Sequence, residues 1–248
     1  MKILITKTVV FIGLMFVSFA CKEETVAPQT QTGQISLLAK YSVVSTLQLN
    51  RLGNPYPLLF AVDSIKVTRF RVVLKRIKFE SDNDSVEFKT APMVVEYNIS
   101  GAVHEIAVSA VKFGTYREIG FKIHRVNDYD LDDFTPAERA PFADFLAGER
   151  YSMIIDGMVF KDGSGGQPFT YRSRVNEEQK YNFNPPLAIT SSNPNVTVTL
   201  RISSGGWFLG HGGVLLDPRD PRNQDIIDQN LKVSIKVFRD DDRDGDDD

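Results

Sequence analysis

The segment Ser64 to Glu80, SIKVTRFRVVLKRIKFE, sets the tightest limit on what the chain can become. Ile65 and Val67 alternate with polar residues, Phe70, Val72 and Leu74 alternate on the opposite parity, and Ile77 and Phe79 return to the first. A period of two marks a strand with one buried face. Each change of parity turns that face over, so one flat strand is excluded and a long strand with bulges or bends is predicted.

The flanking sequence supplies partners for it. Ile35 to Val43 has strand length and a mixed apolar and polar pattern, and Val86 to Ile99 reads as one or two strands broken at Pro92. His104 to Val111 and Tyr116 to Val126 flank Lys112-Phe-Gly-Thr115, so a hairpin is expected there with Gly114 in its turn. Tyr151 to Phe160 and Pro168 to Val175 flank Asp162-Gly-Ser-Gly-Gly166 in the same manner, and Tyr181 to Ile189 and Asn195 to Ile202 complete the series. Strands this dense, with short glycine-rich turns and no helices alternating among them, predict an all-β fold, an antiparallel β-sandwich.

Two short helices are expected within it. Thr135-Pro136-Ala-Glu138 is a capping box with proline at the first helical position, followed by Phe142, Phe145 and Leu146 facing inward and Gly148 as a stop. Pro141 forces a kink there or two abutting turns. Asp220-Pro221 opens the second helix. Leu231 to Val237 alternates like a strand, yet Ile227, Leu231, Ile235 and Phe238 also share a helical face, and both readings stay open.

Through SIKVTRFRVVLKRIKF and FGTYREIGFKI the middle of the chain resembles a β-sandwich domain of unknown function, carbohydrate-binding-like in fold, common in bacterial lipoproteins. The resemblance implies a fold and a location, and brings no catalytic residues with it. The start of the chain points to the same location. Lys2 and Lys7, the apolar run Val9 to Phe19 and the small Ala20 have the three parts of a secretory signal, and the run is too short to span a bilayer comfortably. Cys21 is the only cysteine, so it cannot belong to a disulfide framework. Its place after Ser18-Phe19-Ala20 resembles the bacterial lipoprotein signal, with Ser18 standing where that pattern has Leu.

That resemblance implies a signal peptide over residues 1–20, a lipid on Cys21 and a membrane as partner, each buried methylene contributing about 0.8 kcal/mol. Lys22-Glu23-Glu24 resembles the tag that carries lipoproteins of some Gram-negative groups across the outer membrane, and a plain hydrophilic spacer is the alternative. Residues 21–33 read as a flexible tether, 34–238 as the sandwich and 239–248 as an acidic tail. The expected location is the outer membrane, at the cell surface rather than in the periplasm.

Charge and motif content narrow the chemistry. The formal charge is −3; Lys2 and Lys7 belong to the signal, and Arg239 to Asp248 hold seven Asp and two Arg, which leaves the body from Lys22 to Phe238 neutral. A neutral body offers no basic footprint to nucleic acid or anionic lipid. Gly210-His-Gly-Gly213 has the look of an esterase oxyanion loop, but no Gly-x-Ser-x-Gly elbow accompanies it, and no enzyme is expected. His104, His124 and His211 are too dispersed to read as a zinc or copper site.

Two stretches remain as candidates. In GGWFLGHGG, Trp207, Phe208 and His211 form a loop on which a sugar could stack, and the alternative is that Trp207 plugs the end of the sandwich core. In DDDRDGDDD, Asp240, Asp242, Asp244 and Gly245 match the first half of an Asp-x-Asp-x-Asp-Gly calcium loop and resemble the calcium repeats of extracellular bacterial proteins. Asp248 falls at the ninth loop position, so the acid of the twelfth is missing, and a solvated, disordered tail is the alternative. Asp128, Asp130 and Asp132 are explained by loop polarity before a helix N-terminus. The expected function is a surface lipoprotein with a binding module for glycan, or else a structural or accessory subunit of an envelope complex linked to calcium.

Overall fold

The computed structural model describes residues 31–42, 47–48, 62–81 and 85–247. The leader 1–20, Cys21, most of the tether and Asp248 lie outside the described residues. Gln31 to Asp248 form one compact unit. Its strands are β1 (Thr32–Ser42), β2 (Leu47–Gln48), β3 (Val62–Ser81), β4 (Ser85–Lys89), β5 (Met93–Tyr97), β6 (His104–Lys112) and β7 (Gly114–Ile123). After the short helices α1 (Pro136–Arg139) and α2 (Ala143–Leu146) come β8 (Met153–Lys161), β9 (Gln167–Ser173), β10 (Glu177–Ile189) and β11 (Asn195–Ser203), then α3 (Gln224–Lys232) and β12 (Ile235–Arg239).

The fold is all-β and sandwich-like. The smaller sheet has the order β12-β11-β1-β6, and the larger is built along β3, which pairs with β8, β5 and β2 in its first half and with β7 and β4 in its second. The β1–β11 ladder is parallel and the others are antiparallel. Ile35, Leu37, Val198 and Leu200 of the small sheet and Phe70, Val72, Ile119 and Ile155 of the large one belong to one apolar core. That burial is the main stabilising term of a two-layer fold.

Both parity changes in the central segment are built as bulges of β3. Its register against β8 slips between Val67 and Arg69, and against β7 between Lys75 and Lys78. Ile65, Phe70, Val72, Leu74, Ile77 and Phe79 are all buried as a result. One extra residue at each bulge restores the apolar face to the core side.

The hairpin expected around Gly114 does not form. β6 pairs with β1 in the small sheet while β7 pairs with β3 and β10 in the large one, so the chain changes layer at Phe113. Phe113 packs against the core, its amide donates to the Gln31 carbonyl at 3.0 Å, and the Tyr116 hydroxyl donates to the Lys112 carbonyl at 2.8 Å. A sharp bend between alternating runs serves a corner between sheets as well as a hairpin. The turn at Asp162 to Gly166 does close the β8–β9 hairpin.

Between β7 and β8 the chain covers the outer face of the large sheet. Thr135 and Glu138 exchange the two bonds of a capping box, Pro141 sits in a 3₁₀ turn that separates α1 from α2, and Phe142 and Phe145 join Val73, Val126, Leu131 and Ile154 in a second, smaller core. The open segment after Leu231 divides: the helix ends at Lys232 and β12 begins at Ile235, with Ile227, Leu231 and Ile235 all in the main core. Among the described residues no helix is long and apolar enough to cross a membrane.

Candidate metal centre

β12 ends at Arg239, but its ladder runs one residue further, the Asp240 amide donating to the Thr197 carbonyl at 3.1 Å. On β11, Val196, Val198, Leu200 and Ile202 face the core, which leaves Thr197, Thr199 and Arg201 on the outer side. The acidic segment folds back over that side. It is therefore an ordered strap and not the solvated, disordered tail weighed from its charge.

Each strand of the small sheet holds it. The Thr199 hydroxyl on β11 donates to Asp240 Oδ2 at 2.5 Å, and Arg201 on β11 bonds Asp246 at 2.9 Å while stacking 4.8 Å over the Phe238 ring of β12. Lys40 on β1 donates to the Asp244 carbonyl at 2.8 Å and pairs with Asp246 at 3.1 Å. Arg243 reaches Glu105 on β6 at 2.8 Å. Gly245 has φ +82, and a Cβ there would overlap the Lys40 side chain and lie 2.7 Å from Val103, so only glycine closes the strap.

Within the strap the alternate carboxylates converge. One oxygen from each of Asp240, Asp242 and Asp244 lies within 4.8 Å of the other two. The Asp244 amide donates to Asp242 Oδ1 at 3.2 Å, the Asp246 amide to Asp244 Oδ1 at 2.7 Å and the Gly245 amide to Asp240 Oδ2 at 3.0 Å. The nearby cations are engaged elsewhere, Lys40 and Arg201 by Asp246, Arg243 by Glu105 and Arg239 by Asp241.

Asp240 is the decisive member. It is fully buried, and its Oδ1 has no hydrogen-bond partner. Burial pushes its carboxyl pKa up, the Thr199 hydroxyl and the backbone amides of Gly245 and Arg243 oppose that, and the charge of Asp244 adds to it. A buried carboxylate with one unbonded oxygen, beside two more carboxylates, is costly as an anion and well suited to a divalent cation. Hard oxygen donors in this number suit calcium, with further ligands from carbonyls or water.

The other candidate loop is placed differently. Trp207 and Phe208 are fully buried, Trp207 lying 4.8 Å from the Phe70 ring and 6.0 Å from Tyr41, and Phe208 lying 5.7 Å from Phe169. Asn230 of α3 ties the segment down by donating to the carbonyls of Trp207 and Leu209. Rings with no exposed face cannot stack on a sugar, so Trp207 and Phe208 are the plug of the sandwich end and not a ligand site. His211 stands apart from them, exposed in the 3₁₀ turn His211–Gly213.

Sequence reasoning missed one polar cluster. His124, at the end of β7, is buried and its Nε2 lies 2.7 Å from Asp130 Oδ2, while Lys75 Nζ bonds Asp130 Oδ1 at 2.5 Å. The acidic run at Asp128 to Asp133 was the only signal of it. Among the described residues no second group of three His, Cys, Asp or Glu side chains comes together as a metal set. The chain matches no protein-family model, no curated protein and no solved structure.

Proposed function

We propose that the chain is a non-enzymatic lipoprotein of the bacterial outer membrane, anchored through Cys21 and facing the cell exterior, whose sandwich is a structural or accessory module closed by calcium at Asp240, Asp242 and Asp244. The observation that carries the calcium reading is the buried, unbonded Oδ1 of Asp240 within a triad of carboxylates. The anchor rests on the charged, apolar and small-residue order of the leader and on the single cysteine that follows it. With Trp207 and Phe208 inside the core, the accessory reading gains over a glycan loop at that end of the sandwich.

Calorimetric titration of the mature chain with calcium is expected to show one event per chain, with a Kd of about 10⁻⁴ to 10⁻³ M, the range of extracellular calcium modules. Asp242→Asn combined with Asp244→Asn should abolish it. Absence of heat at millimolar calcium overturns the calcium reading. For the anchor, Cys21→Ser is expected to release the protein from the membrane fraction. Mass spectrometry that finds a free Cys21 thiol in the mature protein overturns it.

A further inference from the structure

The neutral charge of the body conceals a local segregation on the outer face of the large sheet. Gly120 of β7 lies in register between Lys78 of β3 and Lys180 of β10. In the neighbouring row Lys122 stands directly opposite Lys75 on β3, with Glu178 opposite it on β10. Arg76 projects from the second bulge of β3 with φ 53. The missing side chain at Gly120 leaves a cleft of about 470 Å³ among these five cations, with Thr90 on its wall. A Cβ on Gly120 would sit 3.1 Å from Lys78 Cε, so the glycine keeps the floor open.

The cations are unevenly neutralised. Lys75 is held by Asp130, Lys78 by Glu80 and Lys180 by Glu118, at 2.5, 2.5 and 2.7 Å. Among the described residues Arg76 and Lys122 have no ion pair, and Glu178 is the one carboxylate in the cleft lining. Two local costs therefore coincide here. Like charges directly opposed across a ladder destabilise it, and a non-glycine residue at positive φ is strained. The strain at Arg76 belongs to the bulge that returns Ile77 and Phe79 to the core, and that bulge also brings Arg76 into the cleft lining.

We infer that this cleft is an anion site that takes the sulfate or carboxylate groups of an acidic polysaccharide. Lys75, Lys78 and Lys122 are half-buried while Arg76 and Lys180 are exposed, so the charge is within reach of anionic groups carried on a polymer chain. Among the described residues none of the exposed large apolar side chains, Val108, Tyr129, Val214, Ile226 and Val233, lines the cleft, so they offer a bilayer nothing to insert there. Tyr129, adjacent in sequence to the Asp130 that holds Lys75, is 82% exposed and offers a ring face to a sugar. The site is separate from the calcium strap, and its test is independent of that reading.

Affinity electrophoresis of the mature chain through gels containing dextran sulfate, polygalacturonate or neutral dextran tests the assignment, with flotation on phosphatidylglycerol vesicles in parallel. Both acidic polymers are expected to retard the protein, less at high salt, and neutral dextran and vesicles to leave it unaffected. Arg76→Gln with Lys122→Gln should weaken retention about tenfold or more. The same variant should leave the ligand-free melting temperature nearly unchanged, because losing the repulsion between Lys75 and Lys122 offsets losing the attraction between Lys122 and Glu178. Gly120→Leu gives a second variant that fills the floor and displaces the Lys78 side chain while removing no charge, and it should lose retention too. Equal retardation by neutral dextran, undiminished retention of the folded double variant, or binding to vesicles alone overturns the inference.

Discussion

Asp130 joins more separate parts of the molecule than any other single carboxylate described above. Its two oxygens hold Lys75 of β3 and His124 at the end of β7, and Oδ2 also accepts the Asn127 amide at 2.9 Å. Burial by itself raises its pKa; the bonds from Lys75, His124 and the Asn127 amide overcome that and hold the carboxyl down at about 2. A folded-state value below the unfolded one means that the carboxylate stabilises the fold above the unfolded pKa, about 3.9, and loses that contribution as pH falls toward the folded value. Asp130→Asn keeps the shape and removes the charge, leaving Lys75 without its partner, at an expected cost of about 3 kcal/mol at neutral pH. Thermal denaturation of wild type and variant at neutral pH and near pH 2 checks it: the gap between the two melting temperatures should close in acid. A gap that stays constant means that the charge is not what matters. The same residue shows a limit of local reading, since Lys75 lies in a strand well upstream and an acidic loop before a helix looks complete without it.

At the level of elements, glycine spacing matters most in β8. Gly157 pairs with Val67 on one side and Phe169 on the other, and a Cβ there would run into the Lys66 carbonyl and lie 2.6 Å from the Phe169 ring. Gly157→Ala must push β8 away from β3 or the ring off the sheet, and should cost about 3 kcal/mol as overpacking. Gly165, in the β8–β9 turn with open space around it, is the control: Gly165→Ala should change stability by less than about 0.5 kcal/mol. Chemical denaturation of both variants decides. Strand existence was legible because alternation is local, and the two bulges of β3 were legible because a parity change has no other cheap cause. Layer assignment was not. The bend at Phe113 has the same residues whether β6 returns beside β7 or passes to β1, and the outcome depends on a ladder with a strand far earlier in the chain. Trp207 follows the same rule: glycines on both sides fit a surface loop or a plug, and the deciding partners, Tyr41 and Phe70, come from β1 and β3. The carboxylate spacing of the strap was visible, whereas the clasp of Lys40, Glu105, Thr199 and Arg201 that orders it comes from three different strands.

For the whole molecule, the strap links the last strand to every other strand of the small sheet, including β1, the strand that follows the tether. A load on a lipid at Cys21 would enter the fold at Thr32, along β1, and would shear β1 against β11 and β6, the two strands that also carry strap contacts. Calcium bound in the strap would thus stabilise the sheet through which such a load would pass. By linkage, calcium at about 100 times its Kd adds about 2.7 kcal/mol. For a folded unit of this size that raises Tm by roughly 5–10 °C. Asp240→Asn separates this from a merely structural role, because its effect should change sign with the ion. Without calcium, the variant loses a buried charge whose folded pKa is raised, a charge that weakens the fold at pH values above the unfolded pKa, so it should melt at or above the wild-type temperature in EDTA. With calcium, the wild type gains the linkage term and the variant does not, so the order reverses. Lowering the pH in EDTA should favour the wild type in the same direction as the substitution, since the folded carboxyl takes up its proton first. Melting curves of the two proteins in EDTA and in calcium at about 100 times the measured Kd settle the matter: curves that keep the same order in both buffers would leave Asp240 as a plain packing residue and the strap as a clasp of salt bridges alone.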